Sequence, residues 1–221
     1  MVTVAVLPIK TFARAKHRLS DAVGVPDRRE LAEAMVRDVL DALTRVEGLD
    51  RVIVVTAEPV AEEAARAAGA EVVHDGEEAG QSAAALLGVA AALEAGAERV
   101  LLVPGDCPAL DPDEVGGLLA RPRHAGVVIV PDRHGAGTNA LLLAPPGVIE
   151  PSFGPGSFAR HAARAHAADT LVRVVRVPSL GLDVDTPGDL EALRAALAAR
   201  AGGAARTRAL LERLLPAAAA G

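Results

Sequence analysis

Aromatic residues are almost missing from this sequence: among 221 residues there are three Phe and no Tyr or Trp. With a formal net charge of −6 as well, the chain lacks both the stacking rings and the basic clusters by which proteins hold nucleic acid without regard to its sequence, and that class of function is set aside. Cysteine is reduced to Cys107 alone, which excludes an internal disulfide and agrees with a reducing compartment. No His stands near Cys107 in the sequence to activate it, which argues against thiol catalysis. Long apolar runs are lacking too: none approaches the roughly 18 residues of a membrane span. The opening MVTVAVLPIK has no basic segment ahead of its apolar stretch, unlike a secretory signal. A cytoplasmic protein is expected. Also absent are a GxxxxGK(S/T) phosphate loop and any arrangement resembling a Ser-His-Asp triad, so P-loop ATPase chemistry and triad hydrolysis are disfavoured.

What is present is an alternation of short apolar runs and helical periodicity. Residues 2–7 (VTVAVL) read as a buried strand, followed by a basic, irregular loop. Asp27, with Glu30 three positions on as in a capping box, predicts the start of a helix carrying Leu31, Met35, Val39, Leu43 and Val46 at helical spacing. Strands are predicted at 51–56, 71–74, 99–104, 126–131, 138–144 and 171–178, and helices at 59–69, 81–95, 113–120, 157–167 and 187–199. One α/β domain of about 1–200 is expected, with a mostly parallel sheet covered by helices. Residues 201–221 are low in complexity, and Leu210, Leu211, Leu214 and Leu215 read either as a short amphipathic packing helix or as part of a partly ordered tail.

In an open parallel sheet, ligands bind beyond the carboxyl ends of the strands, so polar residues there carry the most weight. Four clusters qualify. The first loop holds Lys10, Lys16 and Arg18, and Lys10 and Lys16 are the chain's two lysines; it reads either as a solvated basic loop or as a phosphate cradle of cations and backbone N–H groups. Asp106, in VLLVPGDCPAL, follows the strand at 99–104. It reads as a turn cap or as a ligand, and Asp111, directly before Pro112, can serve as the cap instead. In LDVDTPGDL, Asp183 and Asp185 point the same way from an extended chain and repel unless a cation lies between them. Asp185 is also a plausible N-cap for the helix after Pro187. Three acids from two strand ends suit Mg²⁺, which takes oxygen ligands and bridges them to nucleotide phosphates.

The fourth cluster is DRHGAGTNALLL followed by PSFGPGSFARH, where Gly135, Gly137, Gly154 and Gly156 permit close backbone approach and Thr138, Ser152 and Ser157 offer hydroxyls. It reads as a pair of turns with an N-cap Ser, or as an anion pocket at a helix start. His161 and His166 are five apart, off the spacing of a metal pair on a helix, and are assigned to structure. The lack of a general base fits one reaction class well. A phosphate oxygen attacking a nucleotide α-phosphate is already ionised at neutral pH, so positioning and charge neutralisation suffice.

Taken together, LPIK, AKHRLSD, GDCPAL, GTNALLL, FGPGSFARH and LDVDTPGDL run in order from residue 7 to about 190. In this the chain resembles the 2-phospho-L-lactate or phosphoenolpyruvate guanylyltransferases of coenzyme F-420 biosynthesis. The resemblance implies a nucleotide-diphospho-sugar transferase-like (GT-A-like) domain, GTP as co-substrate, Mg²⁺ as cofactor and release of pyrophosphate. It implies that Asp106, Asp183 and Asp185 hold the metal, that Lys10 and Lys16 are the first-loop cations, and that Thr138, Gly154 and Ser157 form the phospho-acid pocket. Gly80, Gln81 and Ser82 stand where relatives have Gly-Leu-Asn, a departure on the nucleotide-binding side. Rival readings are a molybdenum-cofactor guanylyltransferase or a sugar-nucleotide pyrophosphorylase, from which a Gly-rich first loop is expected, and a silent nucleotide-binding module, from which a lost acid is expected. The expected partners are small molecules; a homodimer is left open.

Overall fold

The computed structural model describes residues 1–12, 19, 24–120 and 126–214; the expectations placed on Lys16, Arg18 and Leu215 lie outside the described residues. A seven-stranded sheet has the order β3-β2-β1-β4-β6-β5-β7. Its members are β1 (Thr3–Ile9), β2 (Arg51–Thr56), β3 (Glu71–His74), β4 (Arg99–Leu102), β5 (Gly126–Pro131), β6 (Thr138–Ala144) and β7 (Val172–Val174). Val6 of β1 lies opposite Ile53 on one side and Leu102 on the other, both in parallel register. β6 runs antiparallel to β4 and to β5, so its first residues lie at the edge where the parallel strands end.

The sheet separates two cores because successive side chains of a strand face opposite ways. Ala5, Leu7 and Ile9 join one core with residues of α1 (Val25–Leu43), α2 (Pro59–Ala67) and α4 (Pro112–Ala120). Val4 and Val6 join the other with α3 (Gln81–Glu94) and α5 (Ser157–Ala167). Gly88 lets α3 lie directly on the sheet, since a Cβ there would meet Val6 Cγ1 at 2.2 Å. None of the helices among the described residues is long and apolar enough to cross a membrane.

Three local expectations need correction. Helix α1 begins at Val25 with Gly24 at its N-cap and Pro26 in its first turn, so Asp27 is a first-turn residue and the anticipated capping box is not formed. Pro suits that turn because it has no N–H to leave unpaired and its φ is already helical. The helix α6 (Pro187–Ala198) is capped by Thr186, whose hydroxyl and the Asp189 carboxylate bond each other's backbone N–H, and Asp185 is therefore not its cap. The strand expected at 171–178 shrinks to Val172–Val174. Val175 N–H still donates to Ile129 O, but Pro178 has no N–H, and the chain turns there as Gly181 N–H bonds back to Val177 O.

Beyond α6, α7 (Ala205–Leu214) lies against α1. Its start is capped from a distance: the Asp38 carboxylate of α1 accepts the N–H groups of Arg206 (3.3 Å) and Thr207 (2.8 Å). Leu210 and Leu211 are buried with Leu31 and Met35.

Candidate active site

At the carboxyl edge of the sheet, the loop after β4 and the segment before α6 are joined where Val184 N–H donates to Asp106 O at 3.1 Å. Asn139, second residue of β6, donates from Nδ2 to Asp183 Oδ1 (3.0 Å) and to Leu180 O (2.8 Å). The same Leu180 carbonyl faces the buried Cys107 thiol at 3.5 Å, which makes that cysteine a packing residue of this junction. Burial holds the Asp183 carboxyl above its ordinary range; the Asn139 bond opposes that shift, and the neighbouring charges of Asp106 and Asp185 reinforce it. The three acids therefore feel one another.

Asp185 is fixed by a residue that the sequence reading passed over. Asp189 Oδ2 accepts from Asp185 N–H (3.1 Å), Thr186 N–H (2.7 Å) and the Thr186 hydroxyl (2.8 Å), while Arg133 pairs with its other oxygen. Burial alone would raise the Asp189 carboxyl, but these bonds and the Arg133 charge outweigh it and hold the group below its ordinary value. The signal was in the sequence: Thr186-Pro-Gly-Asp189 is a capping-box spacing.

Among the described residues no three His, Cys, Asp or Glu side chains converge as a ready-made metal cage. An open set of carboxylates nevertheless suits Mg²⁺, which keeps several waters and is held by one or two carboxylates together with substrate phosphates. The donor chemistry of Asp106, Asp183 and Asp185 fits that ion.

Lys10 follows β1 and lines a cleft of about 240 Å³ with Thr11, Asp75, Glu78, Gly80 and Gln81. Two groups expected separately, the first-loop cation and the Gly80-Gln81 turn, thus meet. Gly80 has φ +111, which a side chain rarely tolerates, at the N-cap of α3. Ser82 does not line this cleft; its hydroxyl accepts from Phe153 N–H at 2.9 Å and ties α3 to the loop before α5. Asp75 and Glu78 carried no expectation, because they lie in a polar turn where acids are common; Asp75 Oδ1 accepts Glu78 N–H at 3.1 Å.

The loop before α5 is set by Gly154 (φ +100) and Gly156 (φ +71), the latter in left-handed conformation at the helix N-cap. Two of the first amides of α5 are already used, Ser157 N–H by Gly154 O (3.0 Å) and Phe158 N–H by Ala136 O (3.3 Å). What the helix start offers a ligand is accordingly its field and hydroxyl groups more than those amides. Arg160 gathers the loop's carbonyls, donating to Ser152 O and Phe153 O at 3.0 Å each, and also bonding Pro155 O. His161, fully buried, bridges the start of β6 and the loop before α5: its Nδ1 lies 3.0 Å from the Thr138 hydroxyl and its Nε2 accepts Ser152 N–H at 2.8 Å. Burial above all, and then the charges of Arg160 and Arg164, push its imidazole down to about 4. Thr138 and Ser157 are themselves buried, whereas His166 is exposed.

Comparison with known proteins agrees with this architecture. A phosphoenolpyruvate guanylyltransferase of Conexibacter woesei is 53% identical over 217 residues, which cover 97% of this chain and 97% of that protein. Another of that name, from Sphaerobacter thermophilus, is 41% identical over 194 residues, 87% of this chain and 93% of its own. A crystal structure from Desulfovibrio desulfuricans, provisionally described as a nucleotide-diphospho-sugar transferase, superposes with a TM-score of 0.75 at 18% identity, covering 96% of this chain and 95% of that one, which shows the shared fold. The family model described as "Guanylyl transferase CofC like" matches residues 3–198, and the chain belongs to this family of guanylyl transferases.

Proposed function

We propose that this chain transfers the guanosine monophosphate part of GTP to the phosphate of phosphoenolpyruvate, releasing pyrophosphate, as a step in coenzyme F-420 biosynthesis. The observation that supports the proposal is the placement, at one sheet edge, of two groups of residues of opposite character. One comprises the cleft lined by Lys10, Gly80 and Gln81 and the mutually repelling carboxylates Asp106, Asp183 and Asp185; the other comprises the Thr138 and Ser157 hydroxyls and the Gly154 turn at the start of α5. The names of the relatives from Conexibacter and Sphaerobacter support phosphoenolpyruvate as the acceptor.

In the proposed mechanism a phosphate oxygen of the acid attacks the α-phosphorus of GTP, a P–O bond forms, and the bond to the β-phosphate breaks with its electron pair leaving on pyrophosphate. The nucleophile is ionised at neutral pH, so the protein needs no base and contributes position and charge. Lys10 compensates the nucleotide phosphates. Thr138, Ser157 and the turn at Gly154 hold the phosphate and carboxylate of the acid. Mg²⁺, when held by Asp106, Asp183 and Asp185, supplies neutralisation of charge on the phosphates.

The test is to incubate the protein with GTP and Mg²⁺ and, separately, phosphoenolpyruvate, 2-phospho-L-lactate or 3-phosphoglycerate. The acids differ by a planar carbon, a methyl or a hydroxyl, each worth about 1 to 3 kcal/mol of discrimination. Pyrophosphate and a diphosphate-linked guanosine product, formed fastest with phosphoenolpyruvate, are expected. Turnover of a sugar phosphate or a molybdopterin, with none of the three acids, would overturn the proposal.

A further inference from the structure

A backbone amide can only donate. Since Ser152 N–H lies 2.8 Å from Nε2 of His161, that nitrogen is an acceptor and carries no hydrogen. A neutral imidazole bare at Nε2 has its hydrogen on Nδ1, and Nδ1 lies 3.0 Å from Thr138 Oγ1. The ring therefore donates to the Thr138 hydroxyl. A hydroxyl has one hydrogen and two lone pairs; with a lone pair taken by His161, its hydrogen must turn away from the ring. Among the described residues the Thr138 hydroxyl has no other hydrogen-bond partner, so that hydrogen is available to a ligand.

We infer that His161 is a positioning residue for the phospho-acid: it aims the Thr138 O–H hydrogen at the acid's oxyanions and, through the Ser152 amide, fixes the loop that closes the pocket. The inference rests on the function proposed above and extends it to a residue buried behind the pocket wall. Burial and the Arg160 and Arg164 charges keep the ring in this neutral form. Arg160 works alongside, occupying lone pairs of the Ser152 and Phe153 carbonyls that would otherwise repel an anion. Phe153 packs edge-on to the ring at 5.3 Å and keeps it from rotating.

The test uses the full chain with GTP, Mg²⁺ and phosphoenolpyruvate and reads KM for each substrate separately. Three substitutions divide the ring's contacts: His161→Leu removes both, His161→Asn keeps an N–H near the Nδ1 position, and His161→Gln reaches the Ser152 amide but not Thr138. The expected result is an acid KM raised about ten- to hundredfold in His161→Leu, as for a lost hydrogen bond to a charged group, with the GTP KM within about twofold. His161→Asn should restore most of the loss and His161→Gln little. Thr138→Val should reproduce most of the loss in His161→Leu, the remainder being the Ser152 contact, and combining Thr138→Val with His161→Asn should add little, which a merely structural role would not produce. Equal rises in both KM values, additive losses, or rescue by Gln as complete as by Asn would overturn the inference. Should His161→Leu fail to fold, the pair of Thr138→Val and His161→Asn still decides it. If the wild type itself turned over no phosphoenolpyruvate, the proposed function would fall and take the inference with it; if the wild type is active and only the variants misbehave, the inference alone falls.

Discussion

Asp183, half-buried, and His161, fully buried, are titratable groups at the same sheet edge, and desolvation moves them in opposite directions, the acid up and the imidazole down. In each case the shift favours the neutral form. Their neighbours differ. Asp183 stands near carboxylates of its own sign, a repulsion that a cation would relieve. His161 has its hydrogen-bonding capacity filled by Thr138 and Ser152 and is complete as it stands. In the function proposed above, one side stores repulsion that a cation would relieve, and the other holds a fixed geometry for the acid.

The sharpest way to break this comparison is at the acids. Asp106→Asn and Asp185→Asn should each lower turnover by about two orders of magnitude or more while leaving the fold intact by circular dichroism. Near-wild-type activity for both at saturating Mg²⁺ would show that the repulsive cluster is not the metal site. A smaller effect is expected one step back. Asp189→Ala should remove the cap that fixes Asp185 and raise the Mg²⁺ concentration needed for half-maximal rate, at a stability cost of about 1 kcal/mol. Arg160→Ala should instead raise the KM for the acid and leave the Mg²⁺ requirement alone. If these two variants exchanged phenotypes, the division into a charged side and a neutral side would be wrong.

The smallest expected effect is on pH dependence. Unfolded histidine takes up a proton near 6.5, but folded His161 resists until about 4. Between those values the unfolded chain binds more protons, so stability should fall as pH is lowered through that window. Asp189, held below its ordinary value of 3.8, adds stability that is lost only at still lower pH. Denaturant midpoints measured from pH 6.5 to 4 should slope less in His161→Asn than in the wild type, and equal slopes would contradict the buried neutral ring.

Much of this was readable from residue order. The expected strands at 51–56, 71–74, 126–131 and 138–144 match β2, β3, β5 and β6, because each is a short apolar run bounded by turn residues. Weighting polar residues near strand ends singled out Lys10, Asp106, Asp183 and Asp185, and the structure joins the loop of Asp106 to the segment of Asp183 and Asp185 through Val184 N–H. It reached Thr138 only because β6 is antiparallel and begins where its neighbours finish. Asn139 was missed because it sits inside an apolar strand, where nothing local sets it apart, and its bond to Asp183 joins residues 44 positions apart. Spacing from His166 assigned His161 to structure, and the ring is indeed buried, but the atom on which it carries its hydrogen depends on the Ser152 amide, a tertiary contact that periodicity does not encode. The cap of α1 was misplaced by three residues, Asp27 for Gly24, and that of α6 by one, Asp185 for Thr186, where Pro or a second acid competed for the cap.

In the proposed reaction a phosphate oxygen of the acid, and not water or another group, attacks the nucleotide. This step is tested most directly with phosphoenolpyruvate whose non-bridging phosphate oxygens carry a heavy isotope, incubated with the protein, GTP and Mg²⁺. Mass spectrometry should find the heavy oxygen retained in the diphosphate-linked guanosine product, including its new bridge, and the released pyrophosphate should be unlabelled. Heavy oxygen in the pyrophosphate, or release of pyrophosphate with free GMP and unchanged phosphoenolpyruvate, would contradict the account.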